Sequence, residues 1–276
     1  DLHNFLTELV EMGYLTLEHP RKKENGRRVP DETKPKGYNI VAGKLSFEFT
    51  KILDPNDLAP TLVAMDVDEG WRIGRFVEHR DFDYHNLNDM VRAVMLFRRL
   101  HNAPCTVRWN FDVIKKAEGI KAQIDPDKYG HFEEFEEVRD RCYKLHELAK
   151  TDGIKLCNIH GDARDVNFLI NDEEIYLIDW EYGGFGDPGF DIGSYVCGGE
   201  HTIEDIDRIL FTYYRHKPTL KQKRHFYAYI AITGWFYMHW TMLKESKGQK
   251  VGIHKTWWYT YARDFSKLAL EMYNEK

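Results

Sequence analysis

Asp162 stands five residues before Asn167 on a polar stretch that follows the apolar run IKLCNI, and Asp179 closes a later apolar run, IYLI. Aspartate and asparagine offer the hard oxygens that magnesium prefers, and an aspartate can also orient a hydroxyl and accept its proton. Phosphoryl transfer needs both: oxygen ligands that hold a metal ion on nucleotide phosphates, and a base that aligns the acceptor. On one rigid loop the first residue can face a substrate while the second faces a metal ion, and a hairpin returns another carboxylate beside them. The pattern from His160 to Asn167, HGDARDVN, has the form H-x-D-x-x-x-x-N. Alone it arises by chance on the order of one time in a hundred in a chain this long, so its surroundings must carry the argument. Glu181 follows Asp179 by two residues, and the turn-rich stretch GGFGDPGFDIG adds Asp187 and Asp191.

The elements around this stretch would have to fix it in place. The run ending at Ile159, then FLI, a turn at NDEE and IYLIDWE give the order strand, polar loop, hairpin, carboxylate. Upstream, Met90, Val94, Phe97 and Leu100 mark one face of an amphipathic helix over residues 87–102, and residues 132–150 have the same character with a solvated, charged face. Residues 202–275 carry helical spacing too. Residues 1 to about 80 instead alternate short β-like runs with turn signals. YLTLEH (14–19) and GYNIVA (37–42) flank a basic stretch in which Asn25-Gly26 suits a hairpin; KLSFEFTKIL (44–53) suits a short helix that Asp54-Pro55 ends. Residues 61–78 read as two strands about an acidic turn at Asp68 to Gly70. The predicted fold class is α+β, with a small β-rich lobe over 1–79 and a larger, mostly helical one over 80–276.

Composition narrows the partners. The 276 residues suit one large domain or two packed lobes, and 42% hydrophobic with 30% charged residues is ordinary for a folded protein. A net charge of -6 argues against a protein that wraps a polyanion, so nucleic acid is not the expected partner, and the run RKKENGRR reads as a solvated turn. The apolar-aromatic run Phe226 to Trp240 is interrupted by Thr233, Gly234 and His239 and falls short of the ~20 residues that span a bilayer. The first residues lack the basic start of a secretory signal. Cys105, Cys142, Cys157 and Cys197 are widely spaced, which fits reduced thiols in a cytoplasm better than a disulfide frame or a zinc site.

HGDARDVN followed by LIDWEYGGFGDPGFDI resembles the choline/ethanolamine kinase and aminoglycoside phosphotransferase superfamily, whose fold is protein-kinase-like and two-lobed, and most resembles its bacterial choline kinases of the lipopolysaccharide-decorating type. The resemblance runs from about Leu58 to the C-terminus. It implies an ATP- and Mg2+-dependent kinase acting on the hydroxyl of a small cationic alcohol, choline first. It makes Asp162 the catalytic base, groups His160 with it as the residue that holds the catalytic loop, and gives Asn167 and Asp179 to magnesium. Glu181 would assist the metal or face the substrate, and Asp191 would brace the loop. Backbone groups at Phe76, Val77 and Glu78 would bind adenine, and Glu48 would pair the nucleotide-binding lysine. A glycine-bearing phosphate loop and a strand carrying that lysine are not evident before Glu48; Lys36 and Lys44 are the fallback cations. LTELVEMGYLTLEHPRKKENGRRVP is also similar to the helix and wing of a winged-helix module, over residues 1–40.

The last block, AITGWFYMHWTMLKES and HKTWWYTYARDF, is rich in aromatics. A quaternary ammonium has no hydrogen to donate, so aromatic faces must recognise it, each worth ~0.5–2 kcal/mol. The resemblance names Trp235, Trp240 and Trp258 as walls of such a cage, with Tyr182 or Asp187 opposite. Aromatics at helical spacing equally suit a packed core. Three alternatives stay open: ethanolamine, thiamine or an aminoglycoside as acceptor; a catalytically impaired relative that binds without transferring phosphate; and a DNA-binding piece at residues 1–40.

Overall fold

The computed structural model describes residues 17–18, 21–24, 27–30, 37–38, 58–66, 71–104, 107, 110–130 and 132–275. Short antiparallel strand pairs come first: β1 (Leu17–Glu18) with β4 (Gly37–Tyr38), and β2 (Arg21–Glu24) with β3 (Arg27–Pro30), which flank the Asn25-Gly26 pair. Strands β5 (Leu62–Asp66) and β6 (Trp71–Gly74) form the hairpin expected over 61–78. The helix read at 44–53, Glu48 with it, the acidic turn at Asp68 to Gly70, Cys105 and most of the winged-helix-like segment lie outside the described residues.

From residue 87 onward apolar spacing builds helices. In α1 (Leu87–His101) the Asn86 side chain caps the first turn, accepting from the backbone N–H groups of Asn88 and Asp89. Met90, Val94, Phe97 and Leu100, the stripe read from sequence, are all buried. Helices α2 (Val113–Lys121), α3 (Phe135–Lys150), α4 (Gly189–Gly198), α5 (Ile203–Tyr214), α6 (Leu220–Ser246) and α7 (His254–Asn274) follow. Helix α6 starts at a capping box between Thr219 and Gln222, has 27 residues, and is therefore about 40 Å long. Every residue from His225 to His239 is buried, and α2, α3, α4 and α7 pack around it. A helix apolar on all sides belongs at the centre of a core, which accounts for the long aromatic run. Among the described residues no helix is long and apolar enough to cross a membrane.

Two further strand pairs are inserted between α3 and α4. Strand β7 (Cys157–Ile159) pairs with β10 (Gly184–Gly186), and β8 (Phe168–Ile170) pairs with β9 (Ile175–Leu177). The β8–β9 turn is closed by Asn171, whose Oδ1 accepts from the N–H groups of Glu173 and Glu174. The β5–β6 hairpin and its exit are tied to this small sheet. Leu177 donates to the Leu58 carbonyl at 2.9 Å, Arg80 donates to the Ile170 carbonyl at 2.9 Å, and Arg75 pairs with Glu174 at 2.6 Å. Arg80 then forks onto the buried Asp89 of α1 at 2.6 and 2.7 Å. Cys142, Cys157 and Cys197 are free thiols.

A charge cluster fixes the opposite end of α6. His225 is fully buried; its Nε2 donates to Asp187 Oδ1 at 2.8 Å, and its Nδ1 lies 3.5 Å from Asp152 Oδ2, a charge contact rather than a full hydrogen bond. Asp152, just past α3, also takes Arg224 at 2.7 and 3.0 Å and the Tyr273 hydroxyl of α7. Burial alone would lower the His225 pKa, but its contacts with Asp152 and Asp187 raise it to about 9. A histidine held above its ordinary value stabilises the fold fully below about pH 6.5, and that contribution fades as the pH rises through about 9. The unfolding free energy measured in denaturant is thus expected to fall by on the order of 2–3 kcal/mol between pH 7 and pH 10. His225→Gln should start lower and fall less; a parent whose stability is flat across that window contradicts a buried cation.

Candidate active site

The chain leaving β7 is turned by two residues with no freedom to do otherwise. Gly161 has φ +81, and a Cβ there would sit 2.4 Å from the Tyr182 carbonyl oxygen, so both the backbone conformation and the space demand glycine. Asp191, fully buried near the start of α4, accepts from the N–H groups of His160 and Gly161, each at 2.8 Å. His101 of α1 completes it, with Nε2 at 3.1 Å from Asp191 Oδ2 and Nδ1 at 2.8 Å from the Tyr213 hydroxyl. The His160 ring is sealed from solvent. Its Nδ1 accepts from the Asp162 N–H at 3.2 Å, so its Nε2–H donates to the Ile178 carbonyl at 2.8 Å. His160 therefore belongs with the residues that position the loop. It is no catalytic residue, since its ring cannot meet a substrate.

Asp162 is the residue that this loop delivers. Its Oδ1 accepts from Arg164 Nε at 3.0 Å and from the Tyr237 hydroxyl at 2.9 Å, and its Oδ2 from Asn167 Nδ2 at 3.0 Å. The same Asn167 amide group donates to the Asp162 carbonyl at 2.7 Å. Both amide hydrogens are thus spent on Asp162, which leaves the Asn167 carbonyl oxygen for a cation. Ile178 donates to the Asn167 backbone carbonyl at 2.9 Å, one residue before Asp179, so the hairpin sets the two backbones side by side. Asp179 is a non-glycine residue in the left-handed region, φ 64 and ψ 62.

Gly161, Asp162, Arg164, Asp179, Glu181, Tyr182, Phe236, Tyr237, Trp240 and Trp258 line one cavity of about 200 Å³. Three carboxylates and five aromatic rings share this lining. Burial and the nearby Glu181 push the Tyr182 pKa up. The walls already hold cations: the Arg164 guanidinium carbon is 5.9 Å from the Tyr237 ring centre and 6.0 Å from that of Trp258, and Lys244 Nζ is 4.7 Å from that of Trp240. Among the described residues no three His, Cys, Asp or Glu side chains gather into a metal cage. The Asn167 and Asp179 oxygens suit magnesium, a hard ion that keeps most of its shell for water and nucleotide phosphates.

Two residues named from sequence are elsewhere. Trp235 is fully buried, packed 4.9 Å from Phe135 and 4.7 Å from His239, and does not line the cavity. Trp235 and Trp240 are five residues apart, about 140° around a helix, so they cannot share a face. Tyr237, three residues before Trp240, does share it. Asp187 does not line the cavity either; it accepts from the Gly189 N–H at the start of α4 and from His225. In the segment read for adenine, Phe76 is 44% exposed, the Val77 side chain is buried, and the Glu78 carbonyl accepts from Asn171 at 2.8 Å. Arg164, Ser194 and Tyr237 are not among the residues named from sequence, and neither is the loop-bracing role of His101. Only Tyr237 left a local signal, its spacing from Trp240.

Residues 40–222, about two thirds of the chain, match the phosphotransferase enzyme family (APH), and the chain belongs to that family. The LicA protein of Haemophilus influenzae is 24% identical over 203 residues, covering 68% of this chain and 74% of that protein. A probable ethanolamine kinase of Arabidopsis thaliana is 35% identical over 106 residues, 37% of this chain and 26% of that one. A likeness of another kind covers a quarter of the chain: the type II methyltransferase M.NlaIV of Neisseria lactamica is 65% identical over 68 residues, and M.NgoBV of Neisseria gonorrhoeae is 63% identical over the same length. The chain spans 16% of the length of each methyltransferase. Among solved structures, choline kinase LicA from Streptococcus pneumoniae superposes with a TM-score of 0.70 over 97% of this chain and 99% of that one, at 17% identity. LicA in complex with AMP gives 0.70 over 96% and 98%, at 16% identity. At such identities the likeness defines the fold, which is protein-kinase-like with a mostly helical C-terminal part.

Trp235→Ala is expected to cost about 3–5 kcal/mol of unfolding free energy, the range for emptying a core site of this size. Trp240→Ala, at the cavity edge, should cost clearly less. Equal losses in chemical denaturation would contradict the assignment of one to the core and the other to the wall.

Proposed function

We propose that the chain is an ATP-dependent phosphotransferase that moves the γ-phosphoryl group to the hydroxyl of choline or a related small cationic alcohol. The observation that carries this reading is the cavity whose lining Asp162, Asp179 and Glu181 share with the Tyr182, Trp240 and Trp258 rings. Its volume of about 200 Å³ lies below the ~300–1,000 Å³ typical of sites for drug-sized ligands, which favours a small head group over an aminoglycoside. Similarity to a probable ethanolamine kinase and a likeness in fold to choline kinase LicA support the same acceptor class.

Asp162 orients the acceptor hydroxyl and takes its proton. Asn167 and Asp179 would hold Mg2+, which when bound offsets the charge of the nucleotide phosphates. Glu181 and the Tyr182, Trp240 and Trp258 rings enclose the acceptor's cationic head. Arg164 lies over the Tyr237 and Trp258 rings and Lys244 over that of Trp240, so the head group takes the ring faces these cations leave open. The exposed Phe76 ring and the backbone through Val77 and Glu78 offer the adenine contact; nucleotide binding itself is supported by the likeness in fold to LicA in complex with AMP. Residues 1–79 would form the nucleotide-covering lobe and 80–276 the acceptor lobe.

A second reading, a catalytically impaired relative that binds its ligand without transfer, is favoured by one observation. The sequence before Glu48 shows no clear glycine-bearing phosphate loop or strand with its lysine.

A magnesium-dependent phosphorylation screen across choline, ethanolamine, thiamine and a kanamycin-like amine tests both. Choline is expected to turn over fastest, chelation of magnesium should abolish the reaction, and Asp162→Ala should lower turnover by about 10²–10⁴-fold with the fold intact. Full activity in that variant would overturn the assignment of the base. No turnover, together with no heat on titrating Mg-ATP into the parent, would select the second reading.

A further inference from the structure

We infer that Tyr237, backed by Ser194, is a positioning residue that fixes which oxygen of Asp162 receives the acceptor's proton; this rests on the phosphotransferase reading above. Tyr237 lies on α6 with only 5% of its surface exposed, and its hydroxyl reaches Asp162 Oδ1 at 2.9 Å. Behind it the hydroxyl of Ser194, fully buried on α4, stands at 2.5 Å. A carboxylate only accepts, so the Tyr237 hydrogen points at Asp162, and Ser194 donates to Tyr237 in turn. The relay exists because α4 and α6 approach closely at Gly193, where a Cβ would sit 2.4 Å from Thr233 Oγ1 and 2.8 Å from the Tyr229 carbonyl oxygen. Burial and the Asp162 charge push the Tyr237 pKa well up, so the hydroxyl stays a donor at any working pH.

The consequence lies in how the carboxylate is occupied. Oδ1 has two donors, Tyr237 and Arg164 Nε, and a carboxylate oxygen has two lone pairs to offer. Oδ2 has one, Asn167, and keeps room for another. In the transfer the acceptor oxygen bonds to the γ-phosphorus as the bond from that phosphorus to the ADP oxygen breaks, and the hydroxyl proton passes to Oδ2. Without the tyrosine hydroxyl Oδ1 keeps Arg164 alone and the carboxylate is held less firmly about its last torsion; a misplacement of about 1 Å costs on the order of 10²-fold in rate.

The test compares parent, Tyr237→Phe, Ser194→Ala and the double variant with choline as acceptor. Phenylalanine keeps the aromatic face and loses only the hydroxyl. Tyr237→Phe is therefore expected to lower kcat by about 10- to 100-fold with the choline KM within about twofold of the parent. Ser194→Ala should lower kcat less, and the double variant should be no slower than Tyr237→Phe, because both act through one hydrogen bond to Asp162. A thermal melt checks folding; if Tyr237→Phe does not fold, Ser194→Ala alone carries the test through its kcat. An active parent whose variants keep full kcat, or lose only KM, overturns the inference and leaves the phosphotransferase reading standing. A parent inactive with every acceptor removes that reading and this inference together.

Discussion

One buried charge sets the geometry of the site. Asp191 is cut off from water, and a carboxylate in that position is tolerated only when hydrogen-bond donors surround it. Its donors are the successive backbone amides of His160 and Gly161, with His101 beside them. Because two of the three are main-chain groups in sequence, satisfying the charge dictates the direction in which the chain leaves β7. The left-handed Gly161 allows that direction, and His160 locks it by joining the Asp162 amide to the Ile178 carbonyl. The place of Asp162 follows from requirements that belong to the core and not to any ligand.

Helix α6 supplies the second constraint. A helix buried on all sides over its central four turns has little freedom to rotate or slide, so the rings it presents at Phe236, Tyr237 and Trp240 form a fixed wall. Its second turn is held by the cluster of Asp152, Asp187, Arg224 and His225, in which two carboxylates face two cations. Acidic loop and aromatic wall are each anchored independently, and they meet at the bond between Tyr237 and Asp162.

The order of strand, loop, hairpin and carboxylate was legible because its contacts are local: β8 and β9 pair across a four-residue turn that Asn171 closes through its own side chain. The β5–β6 hairpin and the stripe of α1 were legible for the same reason, since periodicity reports neighbours a few residues away. Asp187 was misassigned because its partner, His225, comes 38 residues later with nothing nearby to announce it. Trp235 was misassigned through residue type: its size and chemistry suit a wall, but a five-residue step turns it away from Trp240. Ser194 and His101 act through partners in other elements, which no spacing within one helix can show.

Asp179 holds a left-handed backbone that costs a residue bearing a Cβ roughly 1–2 kcal/mol, and glycine would relieve it. The strain persists at the point where the chain turns from the hairpin into the cavity. Selection for a sturdier chain and selection for a carboxylate in the cavity therefore pull this codon in opposite directions. A lineage that no longer needed the charge would be free to drift there toward glycine, which makes the residue at this position a record of which pressure has prevailed.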